Sequence, residues 1–343
     1  MKLYEFSIIP RAFFGTHMKG DTLFGQFCWQ VKYDESILNG GLNHWLNQYD
    51  TRPFAVFSSA WPKIEAAEKG YALKRPDLPL SWLFPREEDE AQFHDKRKEN
   101  EEKRWMIVRE DLVINLSEGK FLSEKDLGPM ITPSQKGIEK RRLNHRMTEK
   151  IVSEFLQLHN TINRETMTTG EGSFAPYTKH NFAYFPGLRL AIFVLIDEEA
   201  TDPERVLKAL KRIGTFGFGR DASTGLGRFD VEGWKEIKRP DHSEANACYA
   251  LGPVVPEKHM YDEVYFSPFV RFGRHGDVLA VSSNPFKAPV VMADEGAVLM
   301  PKDKNMFDKP YIGRVIRNIS KIESNAVSQG YTVYLPFLME RKP

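Results

Sequence analysis

The stretch that most constrains the fold is Gly214-Thr-Phe-Gly217-Phe-Gly219-Arg220-Asp221-Ala-Ser223-Thr224-Gly225-Leu-Gly227-Arg228-Phe229. Five glycines fall within fourteen residues, with Arg220, Ser223, Thr224 and Arg228 among or beside them. Glycine takes positive φ without a steric penalty and lets a second backbone come close. Arginine and hydroxyl groups donate to phosphate oxygens. The composition is that of a cradle for a polyanion. Its flanks set the topology. Pro203–Ile213 carries proline at its start, an acid beside it and Lys211 and Arg212 in its last turn, which predicts a helix. Arg228-Phe229-Asp230-Val231-Glu232 alternates polar and apolar, which predicts a short strand. The order is therefore helix, glycine loop, strand. Gly217-Phe-Gly219-Arg-Asp-Ala222 fits the dinucleotide fingerprint G-x-G-x-x-[GA], but that motif follows a strand and opens a helix, so the reversed order excludes it. No G-x-x-x-x-G-K-[ST] phosphate loop is present.

The same pattern of elements recurs along the chain. Leu3–Ile9 predicts a first strand, and Gly15-Thr16-His17-Met18-Lys19-Gly20 a loop. Asp21 is placed to cap a helix over Thr22–Val31, whose Leu23, Phe24, Phe27, Cys28 and Val31 recur at helical spacing. Phe54–Ala60 and Leu188–Ile196 predict strands. The order β-α-β, insert, β-α-β is that of a ferredoxin-like, or RRM-like, α+β fold. The domain expected is residues 1–235, with an insert over about 61–187. A linker at 236–246 would lead to a smaller β-rich domain at 247–343, a degenerate ferredoxin-like unit being one option. There the turn Ala293-Asp-Glu-Gly296 predicts a hairpin between Val290–Met292 and Ala297–Met300.

Within the insert, residues 86–104 are dense in both signs of charge and predict a solvated helix or loop. Residues 136–150 set Lys136, Lys140, Arg141, Arg142, Arg146 and Lys150 against only Glu139 and Glu149, which suits either a solvated face or a phosphate backbone. The 343 residues carry 48 basic and 47 acidic side chains, a net charge of +1, so any nucleic-acid binding must come from local stripes. Cys28 and Cys248 are too few for a disulfide framework or a zinc site and are expected to pack as small apolar residues. With no signal-peptide core and no long apolar run, a cytoplasmic protein is expected.

Four stretches together resemble one family. The glycine loop after the second helix resembles that of the CRISPR RAMP superfamily. Gly20-Asp21-Thr22-Leu23-Phe24-Gly25 looks like the "SDTLFGA" opening helix of Csm4-type subunits of type III-A effector complexes, with glycine in place of serine. Tyr71-Ala-Leu-Lys74-Arg75-Pro76 sits where that group has a short basic, proline-containing segment. His159–Thr166 and Gly170-Glu171-Gly172-Ser173-Phe174 resemble its "HNSIDR-T…EGxLF" region, with Asn163 in place of aspartate. The resemblance implies a non-catalytic RNA-binding subunit without a cofactor. It would hold the 5′ tag of the guide RNA between the large signalling subunit and the first backbone RAMP subunit. The residues themselves suit single-stranded RNA, which is held by amides, cations and aromatic faces. The RNA-binding set expected is His17, Lys19, Arg141, Arg142, Arg164, Gly217, Gly219, Arg220, Ser223, Gly225, Gly227 and Arg228. That the His17 and glycine loops cooperate is an implication of the resemblance.

Several readings stay open at this level. His17 is an RNA contact, a structural hydrogen-bonding residue, or the general base of a metal-free transcript-processing endoribonuclease, with Lys19 or Arg220 stabilising the developing charge. Arg164 suits an internal ion pair or a phosphate equally. Phe216, Phe218 and Phe229 are expected to anchor the loop in the core. Met292, Met300 and Met306 are expected to pack internally.

Overall fold

The computed structural model describes residues 1–65, 69–84, 90–131 and 150–340. In chain order these form β1 (Lys2–Pro10), α1 (Gly20–Tyr33), α2 (Gly41–Gln48), β2 (Ala55–Ile64), β3 (Gly70–Lys74), α3 (Leu80–Leu83), α4 (Glu90–Glu102), β4 (Trp105–Arg109), β5 (Lys120–Leu122) and α5 (Glu124–Ile131). There follow β6 (Val152–His159), β7 (Tyr177–Tyr184), β8 (Leu190–Ile196), α6 (Pro203–Phe216) and β9 (Phe229–Ile237). The C-terminal region holds β10 (Ala247–Ala250), β11 (Tyr261–Tyr265), β12 (Pro268–Arg271), β13 (Val290–Ala293), β14 (Val298–Pro301), β15 (Tyr311–Gly313) and β16 (Tyr331–Phe337).

Among the described residues the larger sheet runs β5-β4-β3-β2-β8-β1-β9 and is antiparallel throughout. Its half β9-β1-β8-β2 is built by two β-α-β crossovers whose strands interleave, with α1 and α6 packed on each other and on β2 and β9. Sequence punctuation accounts for α6: Asp202 caps it by accepting from the Arg205 N–H at 2.9 Å, Pro203 opens it, and Gly217 ends it at φ 107°. Strand β2 carries a bulge at Ser58 and Ser59, where the Ser58 hydroxyl takes the place of a ladder partner by accepting from Phe193 N–H at 2.8 Å.

Half of the predicted insert widens this sheet. Tyr71, Ala72 and Leu73 of β3 are fully buried. Their signal is a short apolar run diluted among charged windows. On β1 the buried Glu5 is ion-paired to Lys63 at 2.6 Å and Lys235 at 3.2 Å and bonded by the Tyr71 hydroxyl. Residues 90–102 form a helix, one of the two forms expected of the charged run.

The second sheet runs β11-β14-β10-β16-β15 and shares one hydrophobic core with the first through Tyr249, Leu251, Tyr331, Val333 and Leu335. The join at β2 is polar as well: Gln329 accepts from Phe57 N–H at 2.9 Å and donates back to the Phe57 carbonyl at 2.8 Å. Two expectations are corrected here. The turn at Ala293–Gly296 does not close a hairpin, because β13 pairs with β12 while β14 joins the second sheet. Asp21 does not cap α1. The helix begins at Gly20, Lys19 stands at the cap without a side-chain capping bond, and Asp21 turns inward to a bidentate pair with Arg271 at 2.5 and 2.9 Å. Met292 and Met300 are buried, as expected, and both cysteines are free thiols, Cys248 buried and Cys28 half-buried. No helix among the described residues is long and apolar enough to cross a membrane.

Candidate nucleic-acid interface

The β1–α1 loop and the glycine loop lie side by side, joined backbone to backbone. Arg11 and Ala12 N–H groups donate to the Arg228 carbonyl at 2.8 and 3.2 Å, and Gly227 N–H donates to the Phe13 carbonyl at 2.7 Å. Arg220 N–H donates to the Thr16 hydroxyl at 3.0 Å. On its other side the β1–α1 loop pairs with β7 through reciprocal 2.8 Å bonds between Phe14 and Phe182. Three segments distant in sequence thus make one surface.

Close packing explains most of the glycines. A Cβ at Gly214 would lie 2.1 Å from the Phe229 carbonyl oxygen, at Gly217 2.3 Å from that of Leu226, and at Gly227 2.1 Å from that of Phe218. At Gly219 it would strike the Thr16 side chain at 2.6 Å. Gly225 differs: φ is +95° and nothing lies within 4 Å, so only its backbone conformation calls for glycine. The loop folds back on itself and against Thr16, leaving its tip outward. At that tip the amides of Gly219, Asp221, Ala222 and Ser223 donate to no described residue. Adjacent free amides around a left-handed residue, here Asp221 at φ 61°, make a concavity suited to an anion.

The side chains divide into committed and available groups. Arg228 and Ser223 are exposed, and the Arg228 guanidinium pairs with no described residue. Arg220 is exposed, and its guanidinium reaches back to the His180 carbonyl, to Asn181 Oδ1 at 3.3 Å and to Asp221 at 3.4 Å. Lys179 holds Asp221 at 2.9 Å, and Arg11 holds Asp230 at 2.6 Å. His17 lies at the surface with its ring 3.8 Å from that of Phe182. Burial of that face, helped by the nearby Lys19 cation, pushes its imidazole down to about 4, so it is neutral at pH 7.

Lys19, expected beside His17 on the RNA, faces the other way. It is 7% exposed, and its ammonium is held by Asp294 at 2.5 Å and Glu295 at 2.7 Å, over the Phe269 ring. Although burial works against the charge, these two carboxylates raise its pKa. The corner at Ala293–Gly296 supplies both acids of this clasp. Arg164 is exposed in the turn between Asn163 and Thr168, beyond the β6–β7 ribbon, and makes no ion pair with a described residue. Arg141 and Arg142 lie outside the described residues. Phe218 and Phe229 are buried anchors as expected, but Phe216 is 69% exposed at the end of α6, because the helix turns that residue out just before Gly217 breaks it.

Sequence reasoning missed β7. Lys179, His180 and Phe182 line the interface, and Phe13, 44% exposed, packs edge-on against Phe155 of β6 beside it. The signal was available in Tyr177-Thr-Lys-His-Asn-Phe-Ala-Tyr184, an aromatic-rich run of strand length.

No family model matches this chain, and no curated protein does. Solved structures do. A chain in the crystal structure of a Csm1–Csm4 cassette in complex with pppApA superimposes with a TM-score of 0.54 at 15% identity, covering 100% of both chains. The fold is that of a Csm1–Csm4 cassette chain. The same type of cassette in complex with cA4 gives a TM-score of 0.52 at 15% identity, again over 100% of both chains. The likeness is to the whole chain, C-terminal sheet included.

Proposed function

We propose that this chain is a Csm4-type, non-catalytic subunit of a type III-A CRISPR effector complex in the cytoplasm. In this reading it holds the 5′ tag of the guide RNA and bridges the large signalling subunit to the backbone RAMP subunits. The strand order β9-β1-β8-β2 supports the ferredoxin-like RAMP reading of the N-terminal region. The observation that carries the RNA-binding reading is the joining of the β1–α1 and glycine loops into one surface with free amides and two exposed arginines. Amides and cations grip phosphates, and exposed Phe13, Phe216 and the neutral His17 ring offer faces to bases.

The alternative, an RNA-cleaving enzyme with His17 as general base, loses support from the same geometry. Of its two candidate cationic partners, Lys19 is buried between two carboxylates and Arg220 is drawn back to the His180 carbonyl, Asn181 and Asp221, and an imidazole held near 4 is a weak base.

One gel assay with 5′-tagged guide RNA and EDTA tests both readings. Retardation of intact RNA, weakened about tenfold or more in Arg220→Ala/Arg228→Ala by removal of two charge-assisted hydrogen-bonding groups, is the expected result. Discrete cleavage abolished by His17→Ala would overturn it.

A further inference from the structure

A cavity of about 660 Å³ runs along the outer face of α1, between α2 and the C-terminal region. Its apolar wall includes Phe24, Cys28, Leu46 and Val327, with Trp29 beside them. The volume is that of a site for a small organic ligand.

Two features of its lining have no explanation within the chain. The first is Lys287. Its stem lies along the Gly273 backbone, and its ammonium forms no ion pair or hydrogen bond with a described residue. Burial lowers its pKa, and the Asp21 carboxylate only partly opposes this, the buried Cys28 thiol being neutral. The acids in the lining do not neutralise it: Glu35 is exposed at the rim, and Glu323 accepts from Asn325 N–H at 3.3 Å. Of the other basic groups there, Lys32 is exposed with its ammonium 5.0 Å from the centre of the Trp29 ring, and His275 is bonded to Ser320 at 2.7 Å and held neutral by burial and by Lys287. The second feature is glycine. Gly25 in the interior of α1 lines the cavity, and a Cβ there would meet nothing within 4 Å; Gly41 at the start of α2 lines it too, but its φ of 79° already calls for glycine. A helix-interior glycine costs about 0.5–1 kcal/mol relative to alanine, and packing does not require this one. Both open a trough to the helix backbone.

We propose that this cavity is a binding site for a small amphipathic anion, an apolar ring bearing one carboxylate. The carboxylate meets Lys287 and the ring lies on Gly25 and Gly41 beside Trp29. The site is separate from the glycine-loop interface and does not depend on the RNA-binding reading.

Titration calorimetry on the full chain tests this with two probes, naphthalene-1-acetate and its neutral amide, naphthalene-1-acetamide. The acid is expected to bind roughly tenfold or more tightly than the amide, the margin of a charge-assisted hydrogen bond. Lys287→Met should abolish that preference while the amide still binds, and Gly25→Leu should remove both. The proposal fails if wild type binds neither probe, binds both equally, or if the preference survives in Lys287→Met. The wild-type comparison decides even where a variant does not fold.

Discussion

At the scale of single residues, the neutral state of His17 has a measurable consequence. Its imidazole is held at about 4 in the folded chain against an ordinary 6.5, so between those values the unfolded chain binds more protons. Stability therefore falls as pH drops from about 6.5 towards 4 and levels off below. Solvent at the open side of the ring reduces the size of the effect. In His17→Gln that part of the pH slope should vanish, as read from urea midpoints at about pH 7.5, 5.5 and 4. An unchanged slope would place the titrating group elsewhere. The glycines divide in a similarly testable way. Gly225→Ala meets no atom and carries only the left-handed backbone penalty of about 1–2 kcal/mol. Gly227→Ala adds a collision 2.1 Å from a carbonyl oxygen, so its cost should be about 3 kcal/mol or more. Equal denaturation midpoints for the two would contradict the folded-back loop.

At the scale of elements, the clasp between α1 and the turn before β14 ties the two sheets together. Lys19→Met leaves Asp294 and Glu295 facing each other without a cation and should cost about 2–3 kcal/mol, below the full buried-pair value because both acids retain some solvent contact. Adding Asp294→Asn and Glu295→Gln should recover part of that stability, a coupling that a double-mutant cycle on denaturation free energies would detect. Strict additivity would show the pair to be idle. The element level also shows what a sequence can and cannot reveal. The β1–α1–β2 and β8–α6–β9 units were legible because Phe27, Val31 and Val206-Leu210-Ile213 keep helical period and Pro203 and Gly217 punctuate the ends. Strands β3 and β4 were not, since five-residue apolar runs between charged windows resemble loop breaks. Asp21 misled because an acid before a helical pattern is the usual cap signal, and only Arg271, 250 residues later, draws it inward. The pairing of the β1–α1 and glycine loops depends on backbone bonds between residues about 200 apart, which no local pattern encodes.

At the scale of the whole molecule, a net charge of +1 means that in the proposed reading RNA affinity would rest on a few local cations and amides. Binding to single-stranded RNA should weaken with salt. If Arg220 and Arg228 each neutralise one phosphate, as proposed, Arg220→Ala or Arg228→Ala should reduce the log–log slope by about 0.7. A slope unaffected by either change would remove those arginines from the interface. The most direct test of the central claim is photocrosslinking of a guide RNA carrying 4-thiouridine in its 5′ tag to the full chain, followed by peptide mapping. Crosslinks confined to residues 11–19, 177–184 and 216–228 are the predicted result. Crosslinks that avoid these three segments, or that fall instead on the C-terminal sheet, would contradict the account.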